Sequence, residues 1–287
     1  MHVLVNGVRL FFDVEGAGLV PDGPTMREKP TLVLLHGGPG MDHSLYKPQF
    51  SRLGDIAQVV FLDHRGNGRS ESGPRETWTL AQWADDVHTF CEVVGIARPI
   101  ILGVSFGGTV AMMYATRHPE HPAKLILVST EAAGGSHAAE KVSMFDRLGG
   151  PGVGALARRR LLDGHTDEAT LAAWVRMAFP CYTRTPRDPD VVSRAIRHSE
   201  VTHWFNRPDG EGRTFNLFPA LDRIQCRTLV LGGELDPMTP IECQAEIAAT
   251  LPAQLVRFER FAGCGHGVVA DASEGALAVI RDFIVQR

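Results

Sequence analysis

A serine hydroxyl attacks a carbonyl at neutral pH only when a base takes its proton and a third group holds that base in place. Three residues of this chain could form such a set: Ser105, His266 and Asp236. Ser105 lies in Gly103-Val104-Ser105-Phe106-Gly107, a G-x-S-x-G pattern. Before it runs the apolar stretch Pro99-Ile100-Ile101-Leu102, and after it a helical pattern from Gly108 to His118, stopped by Pro119. A serine on a sharp strand-to-helix turn has its hydroxyl pushed out over the end of a sheet. The turn needs its two glycines, because a side chain at either would collide with the neighbouring strand or helix. By itself the pentapeptide also fits an ordinary turn and cap.

His266 is the candidate base. It lies in Gly263-Cys264-Gly265-His266-Gly267, after the last predicted strand and before the last helix. That glycine-rich loop and its place in the order single it out from the other eleven histidines. Asp236 is the candidate orienting acid. It follows the apolar run Thr228 to Leu231 within Gly232-Gly233-Glu234-Leu235-Asp236-Pro237. Glu234, nearer the strand, competes for the role, and Asp236 also fits a plain loop or capping carboxylate. Thr239, Pro240 and Glu242 signal a helix just beyond, with Thr239 as its cap. Acyl transfer further requires N–H groups aimed at a developing oxyanion. Phe106, after the serine, supplies one; the loop His36-Gly37-Gly38-Pro39-Gly40 supplies the other. Pro39 has no N–H, so Gly38 is the choice and Gly37 the alternative. His36 fits a structural role, bracing the loop by hydrogen bonds.

All these residues follow predicted strands. Val3–Val5 and Arg9–Val14 form a hairpin around Asn6-Gly7, and 15–30 reads as a Pro/Gly-rich loop. Thr31–Leu35, Val59–Leu62, Ile100–Leu102 and Leu125–Val128 are continuous apolar runs, as in strands buried on both faces. Leu80, Trp83, Val87, Phe90 and Val94 mark an amphipathic helix between Thr79 and Gly95. This alternation implies a mostly parallel, doubly wound α/β sheet, whose ligand site gathers at the carboxyl ends of its strands. After Thr130 the rhythm gives way to Ala-, Leu- and Arg-rich helical stretches, read as an inserted helical cap over 131–217. It resumes in 218–287 with Thr228–Leu231, Gln254–Phe258 and a helix from about Ser273 to Val285, so 1–130 and 218–287 form the core.

With 44% apolar residues in 287 the chain can bury a sizeable core. A net charge of −4 excludes a nucleic-acid or acidic-membrane partner by bulk charge. The only basic run, Arg158-Arg159-Arg160, reads as a solvated helix face. Asp63-His64-Arg65-Gly66-Asn67-Gly68-Arg69-Ser70 is expected to shape the site rim and tie loops together through Arg65 or Asp63. Gly103-x-Ser105-x-x-Gly108 lacks the central glycine of a dinucleotide loop, and no H-E-x-x-H spacing occurs, so neither cofactor nor metal is expected. Five scattered cysteines, no membrane-length apolar run and no leader-like start predict a cytoplasmic protein.

The order Ser105, Asp236, His266 resembles that of α/β-hydrolase triads, and the resemblance to that superfamily spans nearly the whole chain. Within it, His36-Gly37-Gly38-Pro39-Gly40 and the segment Asp63–Ser70 resemble the proline iminopeptidase family, with its H-G-G-P-G and D-Q-R-G-x-G-x-S motifs. That resemblance implies a serine peptidase removing an N-terminal proline, acting on a small molecule or short peptide beneath a helical cap. Phe106 stands where the family has Trp, and His64 where it has Gln. His203-Trp204-Phe205 is similar to its H-Y-F-like triplet, but Val201 takes the position of the amine-binding glutamate, Glu200 lies one residue off, and no Trp-Glu pair occurs near Trp174. Carboxylesterases, lactonases and C–C bond hydrolases share this core, and a receptor on the same fold is the non-enzymatic alternative.

Overall fold

The computed structural model describes residues 1–286. Its strands are β1 (His2–Val5), β2 (Val8–Glu15), β3 (Leu19–Asp22), β4 (Thr25–Glu28), β5 (Thr31–Leu35), β6 (Gln58–Leu62), β7 (Ile100–Val104), β8 (Lys124–Val128), β9 (Arg227–Gly233) and β10 (Val256–Phe261). Eight of them form one sheet in the order β1-β2-β6-β5-β7-β8-β9-β10. β1, β2 and β6 pair antiparallel, and every pairing from β6 to β10 is parallel. This is the mostly parallel sheet expected from the alternating pattern, in the α/β-hydrolase fold that the resemblance implies. The strands β3 and β4 make a separate exposed hairpin turned by Gly23-Pro24. They correct the expectation of a loop over 15–30: the turn supports a two-residue hairpin, and Pro21 is tolerated because the ribbon has no inner strand.

Alternate side chains of each strand face opposite layers. On β5, Val33 and Leu35 join the core under the helices α1 (Leu80–Val94) and α2 (Phe106–Arg117). Leu32 and Leu34 join the opposite core. The amphipathic face read from Leu80, Trp83, Val87 and Phe90 packs as its spacing requires, with Thr79 accepting from the Gln82 N–H and Gly95 closing the helix at φ 78°.

Between β8 and β9 every element is helical: α3 (Ala138–Gly149), α4 (Pro151–Ala157), α5 (Glu168–Ala173), α6 (Pro189–Ser193), α7 (Ser199–Asn206) and α8 (Glu211–Thr214), with short 3₁₀ and π turns. Val142, Phe145, Val153, Ala157, Trp174 and Ala178 give this segment an apolar cluster of its own. After β9 come α9 (Ile241–Thr250), then α10 (Val268–Asp271) and α11 (Ser273–Val285) beyond β10; α11 and part of α10 complete the core beneath Leu32 and Leu34. No helix among the described residues is long and apolar enough to cross a membrane.

Candidate active site

The turn from β7 into α2 is as tight as its glycines imply. A Cβ on Gly103 would stand 2.3 Å from the Gly107 carbonyl oxygen, and one on Gly107 would stand 2.1 Å from the Leu35 oxygen. Both obstacles are backbone, which cannot step aside. Ser105 itself has φ 56° and ψ −124°, a conformation that L residues adopt only under constraint. Its carbonyl accepts the Thr130 hydroxyl at 2.7 Å, which ties the turn to the end of β8. Ser105 lines a cavity of about 260 Å³ between the sheet and the helical segment, and His266 lines the same cavity.

His266 and Asp236 come from the loops after β10 and β9. The His266 Nδ1 lies 2.8 Å from Asp236 Oδ2, with Asp236 fully buried. The other Asp236 oxygen accepts the Met238 and Thr239 N–H groups, each at 2.8 Å. Thr239 is not the cap of α9, whose N-cap is Pro240. Its hydroxyl instead donates to Asp236 Oδ2 at 2.7 Å and lies 3.3 Å from His266 Nδ1. A threonine before a proline reads as a cap in sequence; only the fold shows that its hydroxyl is spent on the carboxylate. Glu234 is half-exposed and lies nearest Arg260, so it is not brought to His266.

The loop 36–40 lies against Ser105: a Cβ on Gly37 would be 3.2 Å from the Ser105 Cβ. The Gly37 N–H already donates to Tyr46 Oη at 2.8 Å. The Gly38 N–H has no hydrogen-bond partner among the described residues, and Phe106, first in α2, has no carbonyl a turn earlier to receive its own. His36 braces the loop as expected, donating from Nδ1 to Gly37 O at 2.7 Å and accepting the His64 N–H on Nε2 at 3.2 Å. The tie continues to α7, where Thr202 donates to Pro39 O at 2.7 Å.

The segment 63–70 does tie loops together, but from beneath the site and not at its rim. Arg65 makes a two-pronged pair with Asp86 at 2.8 Å, both buried. Asp63 accepts His43 Nδ1 at 2.7 Å and the Arg69 N–H at 2.9 Å. None of residues 63–70 lines the cavity, because the long side chains turn inward to buried partners. Asp42, His43 and Asp63 are close enough to share a metal ion. Their donor atoms are nevertheless spent internally: Asp42 on Ser44 and Arg69, Asp63 on His43 and Arg69. The neighbouring His64 ring is pushed well below the usual imidazole range by burial and by His36.

Several cavity residues carry no sequence signal. Arg160, expected on a solvated helix face, lines the cavity with its guanidinium 4.2 Å over the Trp174 ring, while Arg158 and Arg159, in the same π-helical turn 158–162, remain exposed. Arg187, Tyr46, Tyr182 and Glu131 also face it. Tyr182 stands edge-on to His266 at 5.1 Å and accepts the Trp174 indole N–H at 3.0 Å. Glu131 pairs with buried Lys141 at 2.5 Å; burial opposes the ammonium, but Glu131 outweighs it and holds that charge above its ordinary pKa. Glu200 is half-exposed and pairs with Arg75 at 3.2 Å, while Val201 is buried in the core; neither reaches the cavity.

The fold and this cavity define an α/β hydrolase. The chain belongs to the alpha/beta hydrolase fold family, whose model matches residues 30–273, and it is a hydrolase of that family. A proline iminopeptidase of Lactobacillus helveticus is 28% identical over 276 residues, covering 90% of this chain and 91% of the relative. A putative carbamate hydrolase of Caulobacter sp. (strain K31) is 27% identical over 262 residues, covering 88% and 90%. The crystal structure of a proline iminopeptidase from Mycobacterium smegmatis superposes with a TM-score of 0.78 at 23% identity, over 99% of this chain and 97% of that one.

Proposed function

We propose that this hydrolase cleaves an ester or amide carbonyl through an acyl-enzyme on Ser105, beneath a helical cap formed by residues 131–217. The observation that carries the reading is the buried 2.8 Å Asp236–His266 contact, made beside the cavity that Ser105 also faces. Asp236 holds His266 as the Nδ1–H tautomer, which leaves Nε2 free to accept the hydroxyl proton. Ser105 Oγ bonds to the carbonyl carbon as its proton passes to His266. The tetrahedral oxyanion is received by the Gly38 and Phe106 N–H groups. His266 then returns the proton to the leaving oxygen or nitrogen as the bond to carbon breaks. Water repeats the sequence on the acyl-enzyme and releases the acid. No step calls for a cofactor.

Two relatives named above carry the name proline iminopeptidase, and the loop 36–40 resembles the H-G-G-P-G motif of that family. The cavity nevertheless favours an ester or uncharged amide over a free N-terminal amine. Among the described residues its one lining carboxylate, Glu131, is already paired with Lys141, and three arginines, Arg160, Arg187 and Arg197, face the same space. A buried ammonium without an unspent carboxylate partner is costly. A serine-directed phosphonate should label Ser105 alone, and Ser105→Ala should lose several orders of magnitude in kcat with the fold intact. Near-native turnover in that variant would remove the mechanism.

A further inference from the structure

Three arginines line the cavity, Arg160, Arg187 and the exposed Arg197, and the two that are less exposed have no counter-ion among the described residues. The guanidinium of Arg160 makes no hydrogen bond or ion pair among the described residues; it rests 4.2 Å over Trp174. Arg187 likewise has no ion pair; it rests 4.8 Å over Phe179, and its Nε is buried without a partner. Asp271, the carboxylate whose charge bears on Arg187, spends its oxygens on the N–H groups of Arg184, Thr185 and Gly265. Stacking occupies the face of a guanidinium and leaves the in-plane N–H fork unspent, and that fork fits a carboxylate edge. Burial pulls both arginines below their ordinary pKa.

Their placement is that of a substrate contact. Arg160 and Trp174 each lie on a π-helical turn, 158–162 and 174–178, an irregularity that helices carry most often at functional positions. Tyr182, whose ring packs against His266, lines the same cavity as both arginines. Arg187 approaches the same loop, its Nη2 lying 3.5 Å from where a Gly267 Cβ would stand.

We propose that the substrate of this site is a small ester or amide bearing a carboxylate, and that Arg160 and Arg187 clamp that carboxylate. The proposal rests on the hydrolase reading above for the reacting bond, but not for the anion site itself.

The test compares 4-nitrophenyl esters of glutaric acid and of 5-methylhexanoic acid, which differ only in replacing a carboxylate by an isopropyl group of the same shape. Acetyl esters of 3-hydroxybenzoate and 3-isopropylphenol move the charge to the leaving group. Uncatalysed hydrolysis is subtracted throughout. In at least one pair the anionic ester is expected to have the higher kcat/KM. That preference should fall about 10–100-fold in Arg160→Met and Arg187→Met, with partial retention in the Lys variants. Calorimetric titration with glutarate should show binding that weakens at least tenfold in the same variants, with melting curves confirming that they fold. A preference for the neutral ester in both pairs, an unchanged preference in both Met variants, or glutarate binding that is absent or indifferent to both arginines would overturn the proposal. Arginine-dependent glutarate binding in a protein whose esterase activity survives Ser105→Ala would instead overturn the serine mechanism and leave the anion site standing.

Discussion

His266 Nδ1 and the Thr239 hydroxyl converge on one oxygen of Asp236, at 2.8 and 2.7 Å. The other oxygen takes two backbone N–H groups, so the carboxylate is fully buried yet has a donor on every face that matters for aiming the imidazole. A carboxylate so held has one orientation available to it, and it passes that orientation to His266.

Asp236→Asn keeps the shape but offers an amide where a carboxylate oxygen was, which favours the wrong imidazole tautomer. Its kcat is expected to fall on the order of 10⁴-fold. Thr239→Val removes one neighbouring donor and should cost roughly tenfold. Steady-state kinetics on a single aryl ester measures both; equal losses would mean that Thr239, and not the charge, sets the orientation.

Gly107→Ala should be more damaging than its one added carbon suggests. The Cβ would meet the Leu35 carbonyl at 2.1 Å, and neither the strand nor the turn can yield. A loss of more than about 3 kcal/mol is expected, or failure to fold. Gly95→Ala is the control: its Cβ meets nothing within 4 Å, so it bears only the cost of a left-handed backbone, about 1 kcal/mol. Urea denaturation separates the two, and equal costs would refute the steric account.

Asp63 should make stability depend on acid. Burial acts to raise its pKa, but the His43 hydrogen bond, the adjacent His36 and His43 and the Arg69 N–H outweigh it, and the carboxyl titrates below its ordinary value. A group lowered in the fold contributes stability above its unfolded pKa of about 3.9 and loses it as pH falls through the folded value. Asp63→Asn should cost about 1–3 kcal/mol at pH 7, because its amide NH2 meets the Arg69 N–H where a carboxylate oxygen accepted it, and the gap from wild type should narrow below about pH 4. Denaturation at a series of pH values checks this; a gap constant down to pH 2 would show that the charge is irrelevant.

A prolyl arylamide should be a poorer substrate than an uncharged aryl ester of similar size, by roughly one to two orders of magnitude in kcat/KM. Glu200→Gln should change neither rate, since Glu200 faces Arg75 outside the cavity. A strong prolyl preference that vanishes in Glu200→Gln would show that α7 turns its other face to the substrate.

Much of this arrangement is written locally. The serine turn, the glycine loop, and the loops of Asp236 and His266 each follow an apolar strand, and a parallel sheet places such loops at one edge. Strand identity and the α1 stripe follow from periodicities of two and 3.6, which any short window displays. The exposed β3–β4 hairpin escaped because its proline and glycine content resembles a loop, and only pairing distinguishes the two. Thr239, Tyr46 and Tyr182 acquire their roles from partners 27, 9 and 84 positions away, respectively, in His266, Gly37 and His266. Arg160 sits in a run of three arginines that sequence cannot tell apart. In the fold this one packs inward over Trp174 and lines the cavity, while Arg158 and Arg159 face solvent. The candidate reacting residues are legible in the sequence because they sit in short motifs at strand ends; most of the rest of the cavity lining is not, because it is assembled from single residues on the helices between β8 and β9, whose facing only the tertiary structure decides.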